Sequence, residues 1–181
     1  MDKEFTIIAF SENYIGLLNR ITIIFTRRHL NIESLTVSAS EIKGIHRFTI
    51  VVKDKEENVR KVVKQIEKLV EVIRARYYRN DEIIFQEIAL YKVPTNALAN
   101  GSNVEDIIRK NNAHILTVEP EYIIIEKTGY KEETQDLFSK LEPFGILQFV
   151  RSGRVAISKE IKELHSYLKE LDEAKSYSVI K

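Results

Sequence analysis

The 181-residue sequence contains no cysteine and no tryptophan, and it has only six glycines and three prolines. The absence of cysteine excludes disulfides, thiolate catalysis and cysteine-based metal sites. The glycines are too far apart for G-x-G-x-x-G or a P-loop, and no G-x-S-x-G nucleophile elbow occurs. None of the four histidines is paired at metal-ligand spacing. The sequence therefore carries no signal of an active site, a glycine-rich phosphate cradle or a metal centre.

An excess of charge of one sign is also lacking, because 28 Lys and Arg oppose 27 Asp and Glu and leave a formal net charge of +1. This balance gives no long-range attraction to nucleic acid or to an anionic membrane. No run approaches the roughly 20 apolar residues of a membrane span, and the N-terminal run is too short for a signal peptide. With 44% hydrophobic residues the chain can bury a core, and we expect a cytoplasmic protein without membrane contact.

The first eighty residues have the periodicity of a β-α-β-β-α-β unit. Alternating or short apolar runs predict strands, and apolar residues at a spacing of three and four predict helices. Leu18, Ile21 and Phe25 predict the buried face of the first helix, and Asp54, followed by Glu57, predicts the start of the second. The predicted strands cover residues 5–10, 32–39, 45–53 and 72–78, and the third is expected to face inward with Phe48, Ile50 and Val52. The second helix has its apolar stripe at Val59, Val62, Val63, Ile66, Leu69 and Val70.

A second unit repeats this order of elements without alignable residues, and Ser102 with Glu105 predicts its first helix start. Its predicted strands cover 83–93, 115–118, 122–125, 145–150 and 155–157, with a helix at 131–141. A final helix is predicted from about 159 to 174, docked on its own domain or, alternatively, presented to a partner. The predicted fold class is α+β, with two ferredoxin-like βαββαβ units at 1–80 and 81–158 and a C-terminal helix and tail at 159–181. We expect a partner to cover the open sheet face or an edge.

The turn from Ser11 to Arg20 is the best candidate for a ligand site. Gly16 at a helix start lets a ligand approach the backbone, and the helix N-terminus favours a carboxylate. Asn13 could orient an ammonium or carboxylate group, and Ile15, Leu17 and Leu18 could supply apolar walls. Together they describe a pocket for a small apolar amino acid. An ordinary tight turn with Asn13 as the helix cap explains the same residues, and spacing alone favours that simpler interpretation.

Two motifs make the first unit recognisable: Glu12-Asn13-x-x-Gly16-x-Leu18-x-Arg20, and NIESLTV at 31–37. Weaker similarity continues at 47–50, 66–70, 87–90, 117–118 and 150–153. With these motifs the chain, up to residue 158, resembles the regulatory (small) subunit family of acetolactate synthase, also called acetohydroxyacid synthase, whose N-terminal unit is an ACT domain.

The resemblance implies a non-catalytic subunit that activates a separate catalytic subunit and confers feedback inhibition by a branched-chain amino acid, with valine expected here. It implies no cofactor in this chain, since thiamine diphosphate, magnesium and FAD belong to the catalytic chain. It also implies an ACT homodimer, in which the turn of one subunit faces Asn31 and Ile32 of its neighbour. Gly16 and nearby amides would then bind the effector carboxylate, with Asn13 and Asn31 at its polar end.

Two other functions are compatible with the pattern. One is a stand-alone amino-acid sensor that acts on a different partner. The other is an RNA-binding module, since RNA-recognition domains share the βαββαβ order. The third strand, IHRFTIVV, lacks the aromatic RNA-binding motif, and the basic-aromatic residues at 74–79 are more simply an edge strand with solvated arginines.

Overall fold

The computed structural model describes residues 2–98 and 103–160. Its first half is the predicted βαββαβ unit, a four-stranded antiparallel sheet in the order β2-β3-β1-β4. The elements are β1 (Lys3–Glu12), α1 (Leu17–Arg27), β2 (Ile32–Ala39), β3 (Ile45–Asp54), α2 (Glu56–Ile66) and β4 (Val72–Arg79). The predicted cap at Ser102 and the predicted helix beyond residue 160 lie outside the described residues.

Both helices pack on one face of this sheet and form its core. Alternate residues of β1 face the helices, and in β3 the predicted inward set of Phe48, Ile50 and Val52 is confirmed. In α1 the buried residues are Leu17, Ile21 and Phe25, whereas Leu18 is 45% exposed. The prediction of Leu18 as a core residue is therefore wrong, because a four-residue spacing keeps Leu17 on the buried face and turns its neighbour about 100° away.

The predicted start and end of α2 also need correction. Asp54 is the last residue of β3, and its Oδ1 accepts hydrogen bonds from the Lys55 N–H at 2.5 Å and the Asn58 side chain at 3.1 Å. Lys55 is the N-cap, and the helix ends at Ile66. Val70 therefore lies in the loop beyond the helix and is 93% exposed, although its spacing fits the helical stripe.

The second half repeats the architecture, so both βαββαβ units are present as predicted. The elements are β5 (Ile83–Pro94), α3 (Val104–Lys110), β6 (His114–Val118), β7 (Tyr122–Gly129), α4 (Lys131–Leu141), β8 (Gln148–Arg151) and β9 (Val155–Ser158). The sheet has the order β6-β7-β5-β8. Tyr91 and Ile123 are among the sheet residues that pack under its helices. The strand predicted at 145–150 begins at Gln148, because Gly145, at φ +86°, ends a short 3-10 turn before it.

Strand β9 pairs with the first four residues of β5, beyond the part of β5 that pairs with β7 and β8. This extension lies against the face of the first sheet that the helices leave open. Ile8 of the first sheet is 5% exposed there because it packs with Ile83 and Ala156. The expected cover of the open sheet face thus comes, over this area, from the second domain of the same chain. Within the described ranges, no helix has the length and apolar character that a membrane crossing needs.

Candidate ligand-binding turn

The turn between β1 and α1 is built around the backbone of Gly16. Gly16 is the N-cap of α1 with φ +84° and ψ −6°, a left-handed conformation that residues with a side chain rarely adopt. A Cβ at this position would meet no described atom within 4 Å, so the conformation, and not crowding, explains the glycine. The Asn13 N–H donates to the Gly44 carbonyl at 3.0 Å, which holds the turn against the β2–β3 hairpin.

The helix N-terminus at this turn is open to a ligand. Gly16, and not Asn13, is the N-cap of α1, and among the described residues no side-chain hydrogen bond caps it. Of the simpler interpretation, the Asn13 cap is therefore wrong, whereas the tight turn at Gly16 is present. The first turn of α1 contains no acidic residue. The Leu17 N–H already donates to the Tyr14 carbonyl at 3.3 Å. The next N–H groups of the first turn, those of Leu18 and Asn19, have no acceptor within the helix and are available to an anion, which the helix dipole also favours.

The apolar residues of the turn divide into two groups. Tyr14 is 59% exposed and Ile15 is 97% exposed, and Leu18 on the first turn of α1 is 45% exposed. Leu17 is only 1% exposed because its side chain packs in the core, so this side chain cannot contact a ligand at the turn. Large apolar side chains at this exposure are typical of a binding or interface surface when they lie next to one another.

Asn31 and Ile32, the other predicted site residues, precede and begin β2. The Asn31 side chain donates to Glu33 Oε1 at 3.1 Å, and Ile32 packs partly against the core. Strand β2 is at the edge of its sheet. The pairing of β2 with β3 is irregular between Ile32 and Ser34, as in a β-bulge.

The two groups of predicted site residues lie at opposite ends of the first sheet. Ile32 and Phe5, near the start of β1, both pair with Val52 of β3. Ala39 and Ser11, just before the turn, both pair with His46 at the other end of β3. At about 3.3 Å per residue, the seven steps from Ile32 to Ala39 put roughly 23 Å between these ends. A single chain therefore does not bring Asn13 and Asn31 together.

An ion pair holds the start of α1 to the start of β4. Arg20 Nη1 lies 2.5 Å from Glu71 Oε1, and the Glu71 carbonyl accepts the Glu12 N–H at 2.9 Å. A hydrogen bond from its own backbone N–H, and the Arg20 guanidinium, lower the pKa of the Glu71 carboxyl below its usual value. Arg20 thus fixes the helix behind the turn, and its guanidinium is already engaged.

Two other kinds of site, a metal centre and a basic surface for nucleic acid, have less support in the structure. In residues 2–98 and 103–160, no group of three His, Asp or Glu side chains is placed to hold a metal ion. The basic-aromatic residues of β4 are paired, since Arg79 lies 2.7 Å from Glu56, Arg76 lies 2.7 Å from Glu160, and the Tyr77 hydroxyl donates to Glu56 at 3.1 Å. Strand β4 is at the edge of its sheet, as the simpler interpretation expected, but Arg76 and Arg79 are paired with acidic side chains and not only solvated.

Two family models match the chain in succession. Residues 7–74 match the model described as "AHAS small subunit-like ACT domain", and residues 86–160 match "Small subunit of acetolactate synthase". The acetolactate synthase small subunit of Bacillus subtilis is 36% identical over 148 residues, which are 81% of this chain and 86% of the relative. That of Mycobacterium bovis is 35% identical over 157 residues, 87% of this chain and 93% of the relative.

The chain belongs to the acetolactate synthase small-subunit family. The fold agrees, since the crystal structure of the acetolactate synthase small subunit from Thermotoga maritima superposes with a TM-score of 0.79 at 26% identity, covering 88% of this chain and 99% of the other. The family prediction from the motifs is therefore confirmed, and the first domain of the chain is an ACT domain.

Sequence reasoning missed the residues that join the two domains of the chain. Gly153 and Arg154 contact the ACT sheet, and Arg154 is only 3% exposed. Residues 150–153 contribute to the family resemblance, but no local pattern marks an isolated arginine as buried. Its partners lie at Glu4 and Thr6, almost the whole chain away.

Proposed function

We propose that this chain is a regulatory subunit of acetolactate synthase, which binds and activates the catalytic subunit and confers feedback inhibition by a branched-chain amino acid, valine first among them. The subunit has no catalytic role in this proposal. Thiamine diphosphate, magnesium and FAD would be held by the catalytic subunit and not by this chain. Family membership supports the role, and the distribution of the site residues supports the way it works.

The effector site would form between the ACT domains of two copies. No strand in residues 2–98 and 103–160 pairs with the outer edge of β2, and two copies of β2 could pair antiparallel about a two-fold axis. That pairing would put Ile32 of one copy beside Ala39 of the other, next to the turn that follows β1 in the second copy. The roughly 23 Å that separates the two groups in one chain would then be closed.

Each group of residues has a distinct part in binding an amino acid. The α-carboxylate would accept hydrogen bonds from the Leu18 and Asn19 N–H groups in the first turn of α1, where the helix dipole favours negative charge. Asn13, and Asn31 of the other copy, would position the ammonium group through their amide oxygens. Ile15, Leu18 and Ile32 would contact the aliphatic side chain, which would explain why apolar residues at the turn are exposed in a single chain.

Calorimetric titration of the chain with valine, leucine and isoleucine tests this proposal directly. Saturable binding of one of them, absent in Gly16→Asp because a carboxylate there repels the effector carboxylate, is the expected result. The Gly16→Asp protein should still activate the catalytic subunit. Activation of the catalytic subunit by the wild-type chain tests the other half, and a chain that binds an amino acid but activates no acetolactate synthase would be a sensor for another partner.

A further inference from the structure

The segment between β8 and β9 connects the two domains through an unusually close contact. A Cβ on Gly153 would clash with Thr36 Oγ1 and lie 3.0 Å from Ser34 Oγ, so any side chain at position 153 forces a shift at its contact with β2. The Arg154 N–H donates to the same Ser34 Oγ at 3.3 Å. Two residues of the second domain thus touch two side chains of a single ACT strand.

The other end of the segment is fixed to the second domain. Ser152 N–H donates to the Ile88 carbonyl at 2.8 Å, and its Oγ accepts the Ile88 N–H at 2.9 Å. A movement of β2 relative to this segment would therefore be passed to β5, the central strand of the second sheet.

The side chain of Arg154 extends the contact from β2 to β1. Its guanidinium donates to Glu4 Oε1 at 2.6 Å, to Thr6 Oγ1 at 2.8 Å and to Asn80 Oδ1 at 3.2 Å. It also lies 3.7 Å from the centre of the Phe85 ring, at the start of β5. A buried charge with several geometrically fixed partners is sensitive to small displacements, because each partner that is lost leaves the charge less compensated.

Not every polar atom at this contact is satisfied. Among the described residues, Thr36 Oγ1 and Arg154 Nε are buried without a hydrogen-bond partner. Buried polar atoms are usually paired, and the exceptions tend to have a reason. Here the spare donor and acceptor give the contact the capacity for a second arrangement with other hydrogen bonds.

The contact lies on the same strand as the proposed effector residues. Ser34 and Thr36 are only a few residues from Asn31 and Ile32, and the irregular pairing at Ile32/Ser34 lies between the two groups. An irregularity of this kind lets the start of a strand adjust relative to the rest.

We propose that residues 152–154 transmit a change at the start of β2 to the second domain, with Gly153 and Arg154 as the positioning residues. This inference rests on the proposed function, because the change it transmits is effector binding. The effector must favour one arrangement of β2 against Gly153 and Arg154 over another for the second domain to respond.

Gly153→Ala and Arg154→Lys in the complex with the catalytic subunit test the inference. Gly153→Ala pushes β2 away from the segment, and Arg154→Lys keeps the charge but loses the planar fork that joins three partners. Both variants should bind the effector within about twofold of the wild-type affinity. Allosteric couplings are typically about 5- to 150-fold, so activity at saturating effector should rise by about fivefold or more above that of the inhibited wild type.

A second-site change separates transmission from general damage. Thr36→Ala removes the hydroxyl that clashes with the new methyl group and leaves Ser34 Oγ, at 3.0 Å, as the nearest of the three original contacts. It should therefore restore inhibition to Gly153→Ala. Arg151→Lys is the matched control, since Arg151 pairs with Glu87 inside the second domain at 3.3 Å. That control should remain inhibited like the wild type.

The outcomes distinguish this inference from the proposed function. Normal inhibition of both Gly153→Ala and Arg154→Lys overturns the transmission role. If circular dichroism shows that Gly153→Ala is unfolded, the response of Arg154→Lys alone decides whether residues 152–154 transmit the change. If the wild-type complex itself neither binds a branched-chain amino acid nor is inhibited by one, the proposed function fails first and this inference fails with it.

Discussion

Asn13 and Asn31 lie at opposite ends of the ACT sheet, although the proposed site needs both. The register through β3 places Ile32 level with Phe5, and Ala39 level with Ser11 next to the turn. A site that uses both asparagines therefore needs two copies of the chain. The open β2 edge gives the route by which a second copy could supply the missing half.

The left-handed conformation of Gly16 predicts a stability cost for any side chain there. Gly16→Ala should lower the free energy of unfolding by about 1–2 kcal/mol, because φ is +84° and a Cβ disfavours that region. It should also weaken effector binding, since the backbone amides of the turn would shift. Gly145→Ala, at φ +86° in the second domain, is the control that should lose similar stability and keep binding. Urea unfolding and calorimetry measure the two effects, and equal binding by both variants would argue against the turn as the site.

The Glu4–Arg154 pair predicts an acid-sensitive contact between the domains. Burial of the Glu4 carboxyl opposes its ionisation, but the hydrogen bond and charge of Arg154 outweigh burial and lower the pKa below 4.5. A carboxyl with a lowered pKa contributes stability above its unfolded pKa, and that contribution is lost as the pH falls through the folded value.

Glu4→Gln should therefore unfold more readily than wild type at pH 7, and the difference should shrink as the pH falls below about 4.5. Urea unfolding at a series of pH values measures this. Glu57→Gln is a suitable control, because Glu57 pairs with Lys61 on the exposed surface of α2, where ion pairs contribute little. A difference between wild type and Glu4→Gln that is constant with pH would contradict the assignment.

The buried hydroxyl of Tyr91 is expected to stabilise the second domain. Its side chain is fully buried, and the hydroxyl donates to the Thr134 carbonyl at 2.6 Å. Burial raises the pKa of Tyr91 to about 12, which Arg151 only partly offsets. Tyr91→Phe should cost about 1–2 kcal/mol, because it leaves a buried carbonyl without this donor. Denaturant unfolding measures the loss, and ultraviolet titration should show one fewer tyrosine ionising near pH 12 in the variant.

Local periodicity was sufficient for the elements whose burial is decided by their own sheet and helices. Phe48, Ile50 and Val52 alternate in β3 and were placed correctly. It failed at Leu18, because Leu17 takes the buried position at the start of α1. It also failed at Val70, because the helical spacing continues past the last helical residue. The spacing of apolar residues does not show where the backbone hydrogen bonds of a helix end.

The contact between the domains could not be predicted for a different reason. Arg154 is bonded to Glu4 and Thr6, some 150 positions away in the chain, and the four residues of β9 are too few to show alternation. In the same way, the turn residues were identified from the sequence, but the separation of Asn13 from Asn31 depends on the order of strands in the sheet. Long-range pairing of this kind is set by the whole fold, and a local window cannot show it.

Mixing two defective variants tests the shared site most directly. Gly16→Asp and Asn31→Ala should each bind little or no branched-chain amino acid when alone. After the two are unfolded and refolded together, about half of the dimers should be mixed, and each mixed dimer should contain one site with both parts intact. The account predicts that calorimetry then recovers about one quarter of the wild-type number of sites. No recovered sites, in a sample whose mixed dimers are verified by affinity tags, would contradict it.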